Sequence, residues 1–144
     1  MRIREILQTK GSDVVVIGPD ASVRDLVALL EEHNLGAVVV STDGTTMAGI
    51  VSERDVVRRL ATNEAVLEAT VADVMTAVVH TCTPHDSVES LMSTMTEHRI
   101  RHLPVLDDEG RLSGIVSIGD VVKSTITQLQ FERDRLQEYV TTST

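Results

Sequence analysis

An internal repeat constrains the fold of this 144-residue chain more than any other feature. Shifting residues 14–60 by 65 positions lays them on residues 79–125 without a gap, and 16 of the 47 aligned positions are identical. Ordinary residue frequencies would give about three such matches by chance. A tandem duplication of this kind predicts two copies of one structural unit that pack against each other.

Each copy predicts the same order of elements, β-α-β-β-α. Short apolar, β-branched runs bounded by turn residues predict the strands. Ser22 and Ser87 stand where helix caps belong, and each is followed by apolar residues at the i, i+3, i+4 and i+7 spacing of a helix buried on one side. The predicted strands are 14–17, 37–40, 47–51, 78–82, 103–106 and 112–116, and the predicted buried helix positions are Val23, Leu26, Val27, Leu30, Val88, Leu91, Met92 and Met95.

The predicted fold class is therefore α+β, with two repeats packed as a pseudo-twofold pair. A copy of about 50 residues buries too little apolar surface to be stable alone, which is why the two are expected to pack together. Similar lead-in segments precede both copies, at 3–7 and 71–75, and a polar connector at 61–70 is expected to be partly helical. The predicted domains are residues 1–62 and 63–125, followed by a C-terminal helical extension at 126–144.

The C-terminal region predicts one long helix, because it contains neither Gly nor Pro after Gly119. Its apolar residues recur at alternating four- and three-residue steps, with Arg133 in one polar slot. Two interpretations remain open: a surface for self-association or for a partner, and a helix that lies back on its own core. The apolar positions are Val122, Ile126, Leu129, Leu136 and Val140.

Composition excludes several classes of partner. The net charge of −9 disfavours nucleic acid and anionic membranes, and no apolar run approaches the ~18 residues of a membrane span. Phe131 and Tyr139 are the only aromatic residues, so a nucleobase bound by residues 1–130 would lie between aliphatic side chains. One cysteine and the lack of a signal-peptide pattern lead us to expect a cytoplasmic protein.

The motif Gly-Ile-Val-Ser-x-x-Asp occurs once in each copy, at 49–55 and 114–120. It predicts a strand that leads into the start of a helix, where unpaired N–H groups and the helix dipole attract an anion. Ser-x-x-Asp at a helix start is also typical of a capping box, in which the two side chains satisfy the first backbone N–H groups. Capping alone does not explain why Gly-Ile-Val precedes the motif twice.

The repeat, the element order and this motif together resemble the CBS domain, present here as a tandem pair of the small stand-alone bacterial type. Residues 98–107 followed by 114–120 are especially similar to the second CBS domain of such proteins. The resemblance implies a sensor that binds an adenine nucleotide reversibly between the paired domains, AMP first, with ADP, ATP or NAD(H) as other ligands. It also implies a homodimer with no catalysis and no tightly required cofactor, acting on a partner that the sequence does not name.

The resemblance also implies roles for individual residues near the second motif. Asp120 would bind the ribose hydroxyls, and Ser117 would face phosphate. Adenine would contact the backbone of Ile17 and Gly18 in the other repeat. Arg101 and His102 stand where related proteins place basic residues against phosphate, and the first repeat has Gly36 and Ala37 there. The resemblance therefore makes the Asp120 site the better candidate for a monophosphate.

The second candidate site is built in the same way around the first motif. Asp55 and Ser52 would take the ribose and phosphate roles, with Arg54 inside the motif and the backbone of Cys82 and Thr83 beside adenine. Family members often carry Thr at the positions of Ile17 and Cys82, so this chain departs from the family pattern at both sites.

Three other functions are alternatives to nucleotide binding. The sequence contains no supported nucleophile–base pair and no Gly-rich phosphate loop, so we do not expect an enzyme. His80, Cys82 and His85 are zinc-type ligands, but the set is incomplete. A protein-interaction or dimerisation module, in which nucleotide binding is incidental, is the remaining alternative.

Overall fold

The computed structural model describes residues 1–77 and 79–142, and its architecture is α+β, as the sequence predicts. A 3₁₀ helix at Glu64–Glu68 confirms that the connector is partly helical. The described residues form helices α1 (Ile3–Lys10), α2 (Val23–His33), α3 (Glu53–Leu60), α4 (Val71–Val74), α5 (Val88–His98) and α6 (Ile118–Thr142), and strands β1 (Val16–Ile17), β2 (Ala37–Ser41), β3 (Met47–Ser52), β4 (His102–Leu106) and β5 (Leu112–Ser117).

The two repeats form equivalent but unequal sheets. In the first, β1 pairs parallel to β2, and β2 pairs antiparallel to β3. In the second, β4 and β5 form an antiparallel pair, and Cys82 adds only a single parallel bridge to Val105. That bridge is the repeat equivalent of Ile17 beside Val40. The strand predicted at 78–82 is therefore too long, and its first residue, Val78, lies outside the described residues.

The first helix of each repeat begins where the sequence predicts. The Asp25 N–H donates to Ser22 Oγ at 3.0 Å, and the Ser90 N–H donates to Ser87 Oγ at 3.1 Å. The buried residues are Val23, Leu26 and Leu30 on α2, and Val88, Leu91 and Met95 on α5.

The prediction that Val27 and Met92 are buried is wrong, because these side chains are 41% and 44% exposed. Both occupy the i+4 position of their helix. On a helix of 3.6 residues per turn, that position lies at the edge of the stripe formed by i, i+3 and i+7.

The lead-in segments exchange partners between the repeats. Helix α1 precedes the first repeat but packs on the second, where the Ile3 N–H donates to Asp86 O at 3.0 Å. Helix α4 precedes the second repeat but packs on the first, where the Val71 N–H donates to Ala21 O at 2.8 Å. The second core thus contains Ile3, Ile6 and Leu7, and the first contains Val66, Val71 and Val74. The predicted domain boundary between residues 62 and 63 remains a prediction.

The exchanged segments explain why both motifs begin with glycine. A Cβ atom at Gly114 would lie 2.8 Å from Leu7 Cδ2, on the packed face of α1. A Cβ atom at Gly49 would lie 2.6 Å from the carbonyl oxygen of Thr76, which pairs with Ile50 at the edge of β3. Gly-Ile-Val is therefore a docking strand for the lead-in segment.

Helix α6 runs without a break from Ile118 to Thr142, so the predicted extension at 126–144 belongs to a helix that starts in the second repeat, and residues 143 and 144 lie outside the described residues. The predicted apolar stripe is 50–66% exposed, which contradicts a helix lying back on its own core. In the described residues, no helix has both the length and the apolar character needed to cross a bilayer.

Gly49→Ala should destabilise the protein by about 1–3 kcal/mol, because the added methyl group meets backbone that cannot move without breaking the Ile50–Thr76 pairing. The free energy of unfolding from urea denaturation measures this. Gly18→Ala is the matched control, since no described atom lies within 4 Å of a Cβ at that position. Equal stability of the two variants would contradict the proposed role of Gly49.

Candidate functional site

A cavity of about 210 Å³ lies between the two repeats. His102 and Ser117 of the second repeat line one side, and both are residues that the sequence predicts for the Asp120 site. Ile115 also belongs to this side. The first repeat lines the other side with Asp13, Val15, Asn34, Leu35, Gly36 and Ala37.

The strand-to-helix junction brings these side chains together. Strand β5 ends at Ser117, and the first N–H of α6, from Ile118, donates to the carbonyl oxygen of Arg101 at 2.8 Å. The corresponding contact in the first repeat runs from the Glu53 N–H to Gly36 O at 2.9 Å. Each junction therefore fixes the first residue of α6 or α3 beside the residue that precedes β4 or β2.

Ser117 and Asp120 form a capping pair in this structure. The Ser117 N–H donates to Asp120 Oδ2 at 2.8 Å, and the Asp120 N–H donates to Ser117 Oγ at 3.2 Å. The capping interpretation of the motif thus holds at the second copy. It does not exclude ligand binding, because a ligand donor can replace the Ser117 N–H at Asp120 Oδ2 and a ligand acceptor can replace Ser117 Oγ at the Asp120 N–H.

Lys10, at the end of α1, also contacts Asp120, and sequence reasoning missed it. Its Nζ lies 2.7 Å from Asp120 Oδ2 and donates to the carbonyl oxygen of Ile115 at 2.8 Å. Burial alone would raise the pKa of Asp120, but the Lys10 ammonium and the Ser117 N–H outweigh it and lower that pKa. The contact joins residues 110 positions apart, so the local pattern around the motif carried no signal for it.

His102 is an uncharged member of the site at neutral pH. Burial lowers the pKa of its imidazole, although the carboxylates of Asp120 and Glu53 oppose this effect. A Cβ atom at Gly36 would lie 3.4 Å from His102 Cε1, which shows how closely the imidazole approaches the other repeat. His102 can therefore exchange hydrogen bonds with a ligand, whereas the side chain of Arg101, an exposed residue, keeps the charge.

The predicted adenine contacts of this site lie next to the cavity rather than on its wall. Ile17 pairs with Val40 in the sheet, and its side chain is buried in the core of the first repeat. Gly18 lies in the following turn, where its carbonyl oxygen accepts from the Ala21 N–H at 3.3 Å. Val15, two residues before Ile17, lines the cavity instead.

The first motif has a similar cap but different surroundings. Asp55 Oδ2 accepts from the Ser52 N–H at 2.8 Å and from the Ser52 hydroxyl at 3.0 Å. Arg54 is exposed, and the Thr83 N–H donates to Asp86 Oδ2 within a turn. Cys82 lies in the core of the second repeat, where burial raises the pKa of its thiol to about 12.

The three possible metal ligands have separate surroundings. The His80 ring stacks on that of His98 with 3.9 Å between centroids, and His85 Nε2 lies 3.6 Å from an oxygen of Asp108. The Cys82 thiol donates to the carbonyl oxygen of Pro104. Within residues 1–77 and 79–142, no group of three or more metal-binding side chains is present.

The fold and the paired motifs define a tandem CBS-domain protein, and comparison with known proteins agrees. The CBS domain family matches residues 3–62 and 71–126, and this chain belongs to that family. The CBS domain-containing protein CBSX3, mitochondrial, of Arabidopsis thaliana is 36% identical over 147 residues, which cover 96% of this chain and 71% of the relative.

Solved structures of other CBS-domain proteins share this fold. A CBS-domain protein from Agrobacterium tumefaciens is 41% identical with a TM-score of 0.83, and the match covers 87% of this chain and 99% of the other. A more distant CBS pair, crystallised with 5′-methylthioadenosine and S-adenosyl-L-methionine, is 23% identical with a TM-score of 0.79. That match covers 89% of this chain and 98% of the other, and it shows the fold alone.

Acidification should destabilise the protein partly through His102. Since burial lowers its pKa in the folded state, the unfolded chain binds more protons below the ordinary value of about 6.5, and the free energy of unfolding falls as the pH decreases. One such group contributes at most about 1.4 kcal/mol per pH unit. Urea denaturation at several pH values should show a smaller loss in His102→Gln than in the wild type.

His33→Gln, which removes an exposed imidazole on α2, is the matched control and should keep the wild-type pH dependence. If His102→Gln also keeps it, burial of His102 does not contribute to the pH dependence of stability.

Proposed function

We propose that the protein is a regulatory module that binds an adenine nucleotide reversibly and performs no chemistry on it. The observation that carries this proposal is the cavity between the repeats, with Ser117 on its wall and Asp120 hydrogen-bonded to Ser117. AMP is the first ligand to test, followed by ATP, ADP and NAD(H). The cytoplasm is the proposed compartment, and no tightly held cofactor is required.

The chemistry of the residues supports these ligands. A carboxylate such as Asp120 can accept hydrogen bonds from both hydroxyls of a ribose, because it has two acceptor oxygens. Ser117 and the start of α6 offer a hydroxyl and backbone N–H groups to phosphate. Arg101 adds positive charge, His102 adds a neutral hydrogen-bonding group, and the backbone of Ile17 and Gly18 is proposed for adenine.

A second site of the same type is proposed at Asp55 and Ser52, with Arg54, Cys82 and Thr83 as its other members. The CBS pair crystallised with 5′-methylthioadenosine and S-adenosyl-L-methionine supports an adenosine-containing ligand in general, since both molecules include adenosine. It does not indicate how many phosphate groups the ligand carries. The asymmetry in local charge makes the Asp120 site the first one to examine.

Asp120→Ala should weaken AMP and ATP binding by about tenfold or more, because charged hydrogen bonds contribute about 1.5–3 kcal/mol each. Isothermal titration calorimetry measures the change. Asp120→Asn keeps an acceptor for the Ser117 N–H while removing the charge, so it separates loss of the ligand contact from loss of the helix cap. Wild-type affinity in both variants would contradict the assignment of Asp120 to ribose.

We further propose that the protein is a homodimer. Exposed apolar side chains occupy repeat-equivalent positions, Val27 with Met92 and Val57 with Val122, on the helices of both repeats. A surface with this pseudo-twofold arrangement suits a second copy of itself, because a symmetric dimer presents the same patch from both subunits. Exposed apolar groups of this kind mark interaction sites more often than isolated ones do.

Val27→Glu or Met92→Glu should convert the dimer to a monomer, because the carboxylate would be buried in the interface without a partner. Size-exclusion chromatography with light scattering measures the mass. Leu136→Glu, on the exposed stripe of α6, is the control and should leave the mass unchanged. If only Leu136→Glu yields a monomer, the copies associate through α6, as the interaction-module alternative holds.

A further inference from the structure

The two lysines of this chain, Lys10 and Lys123, line the same groove although they are far apart in the sequence. The groove has a volume of about 400 Å³ and lies between α1 and α6. Asp120 also lines it, and Asp120 is hydrogen-bonded to Ser117 on the wall of the cavity between the repeats. The Ser117–Asp120 pair therefore connects the proposed nucleotide cavity to a groove that contains two ammonium groups together with the carboxylates of Asp120 and Glu5.

The position of Lys10 is set by packing. Lys10 is the last residue of α1, and the preceding turn is held by Leu7, which packs on Gly114 in the core of the second repeat. The side chains of Lys10 and Asp120 are only 31% and 23% exposed, so solvent screens their attraction less than at an open surface. The ammonium is thus held at Asp120 by a rigid element rather than by a mobile loop.

Ribose and Lys10 would compete for the same carboxylate oxygen. Asp120 Oδ2 already accepts from the Lys10 ammonium and from the Ser117 N–H. A ribose that donates one hydroxyl to each carboxylate oxygen would displace the ammonium from Oδ2, and the ammonium would then lose its counter-ion in a partly buried groove. That loss costs free energy unless the ligand brings an anion of its own.

Lys123 makes the groove suitable for that anion. It lies three residues after Asp120 on α6, so the two side chains share one face of the helix. If the first phosphate contacts Ser117 and the start of α6, Lys10 at Asp120 is a further cation for that phosphate. Additional phosphates, as in ATP, would extend along the groove toward Lys123. Lysine is well suited to this contact, because its ammonium binds phosphate oxygens as a compact charge.

We propose that Lys10 is a specificity-determining residue of the Asp120 site, where it neutralises Asp120 in the empty protein and binds the ligand's phosphate when ribose takes Asp120. Lys123 is the second phosphate contact. The site thereby favours nucleotides over the corresponding nucleosides. This inference rests on the proposed function and names the residues that give it selectivity.

The described residues around Asp55 include no counterpart of Lys10. The lead-in helix there, α4, has four residues and no lysine. Within the described part of the chain, Asp55 forms no ion pair, and its carboxylate accepts from Ser52. We therefore expect only the Asp120 site to bind nucleotides more tightly than the corresponding nucleosides.

Calorimetric titration with adenosine, AMP and ATP tests the inference on the full chain. Lys10→Met should weaken ATP and AMP binding by about tenfold, the loss expected for one charged contact. Adenosine should bind as well as before or more tightly, because the competing ammonium is gone. Lys10→Arg, which keeps the charge, should retain the preference for nucleotides, and Lys123→Met should weaken ATP without affecting adenosine.

Arg24→Met is the matched control, since it breaks an exposed ion pair with Glu68 and removes the same charge at a distance from the groove. It should change none of the three affinities. Equal weakening of adenosine and ATP in Lys10→Met would show a merely structural role and overturn the inference, as would unchanged affinities for all three ligands.

Two further results separate the inference from the proposed function. If the wild type binds none of the three ligands, the proposed function fails and the inference fails with it. If Lys10→Met does not fold, the salt dependence of the wild type decides: ATP affinity should fall with added salt far more steeply than adenosine affinity, and equal slopes overturn the inference.

Discussion

The packing of each lead-in segment on the other repeat is the constraint on which the rest of the structure depends. Neither repeat completes its core from its own β-α-β-β-α unit. The second repeat takes Ile3, Ile6 and Leu7 from α1, and the first takes Val71 and Val74 from α4. A cut between the predicted domains, after residue 62, would therefore remove apolar side chains from both cores and destabilise both halves.

The same exchange gives the sites their shape and their asymmetry. Gly49 and Gly114 let the lead-in segments approach the docking strands, which end at the helix starts that carry Asp55 and Asp120. The two segments differ in length, since α1 has eight residues and α4 has four. Only the longer one reaches its aspartate with a lysine, so two nearly identical motifs acquire different electrostatic environments.

Local patterns predicted most of the elements, because caps, turns and apolar periodicity are encoded within a few residues. The caps at Ser22 and Ser87 and the continuous helix after Gly119 illustrate this. The family resemblance then pointed to Ser117 and His102, which the structure places on one cavity. The exchange of lead-in segments and the Lys10–Asp120 pair join distant parts of the chain, and no short-range pattern specifies such contacts.

Burial was the other property that the sequence could not settle. Val27 and Met92 fit the apolar spacing of their helices, but both lie at the edge of the buried stripe and are 41% and 44% exposed. The sequence does not settle the charge of His102 either. The residue type suggests a cation, whereas burial lowers the pKa of the imidazole and favours its neutral form.

The exchanged lead-in segments also impose an order on folding during synthesis. The core of the first repeat ends at Met75, so it can be completed while the second repeat is still being translated. Helix α1, made before every other described element, has its docking surface on residues as late as Val121. Its apolar face must therefore wait for the second repeat, and the closure of this long loop is a slow, late event. Lys10 is the last residue of α1, so the Asp120 site is complete only after α1 has docked on the second repeat.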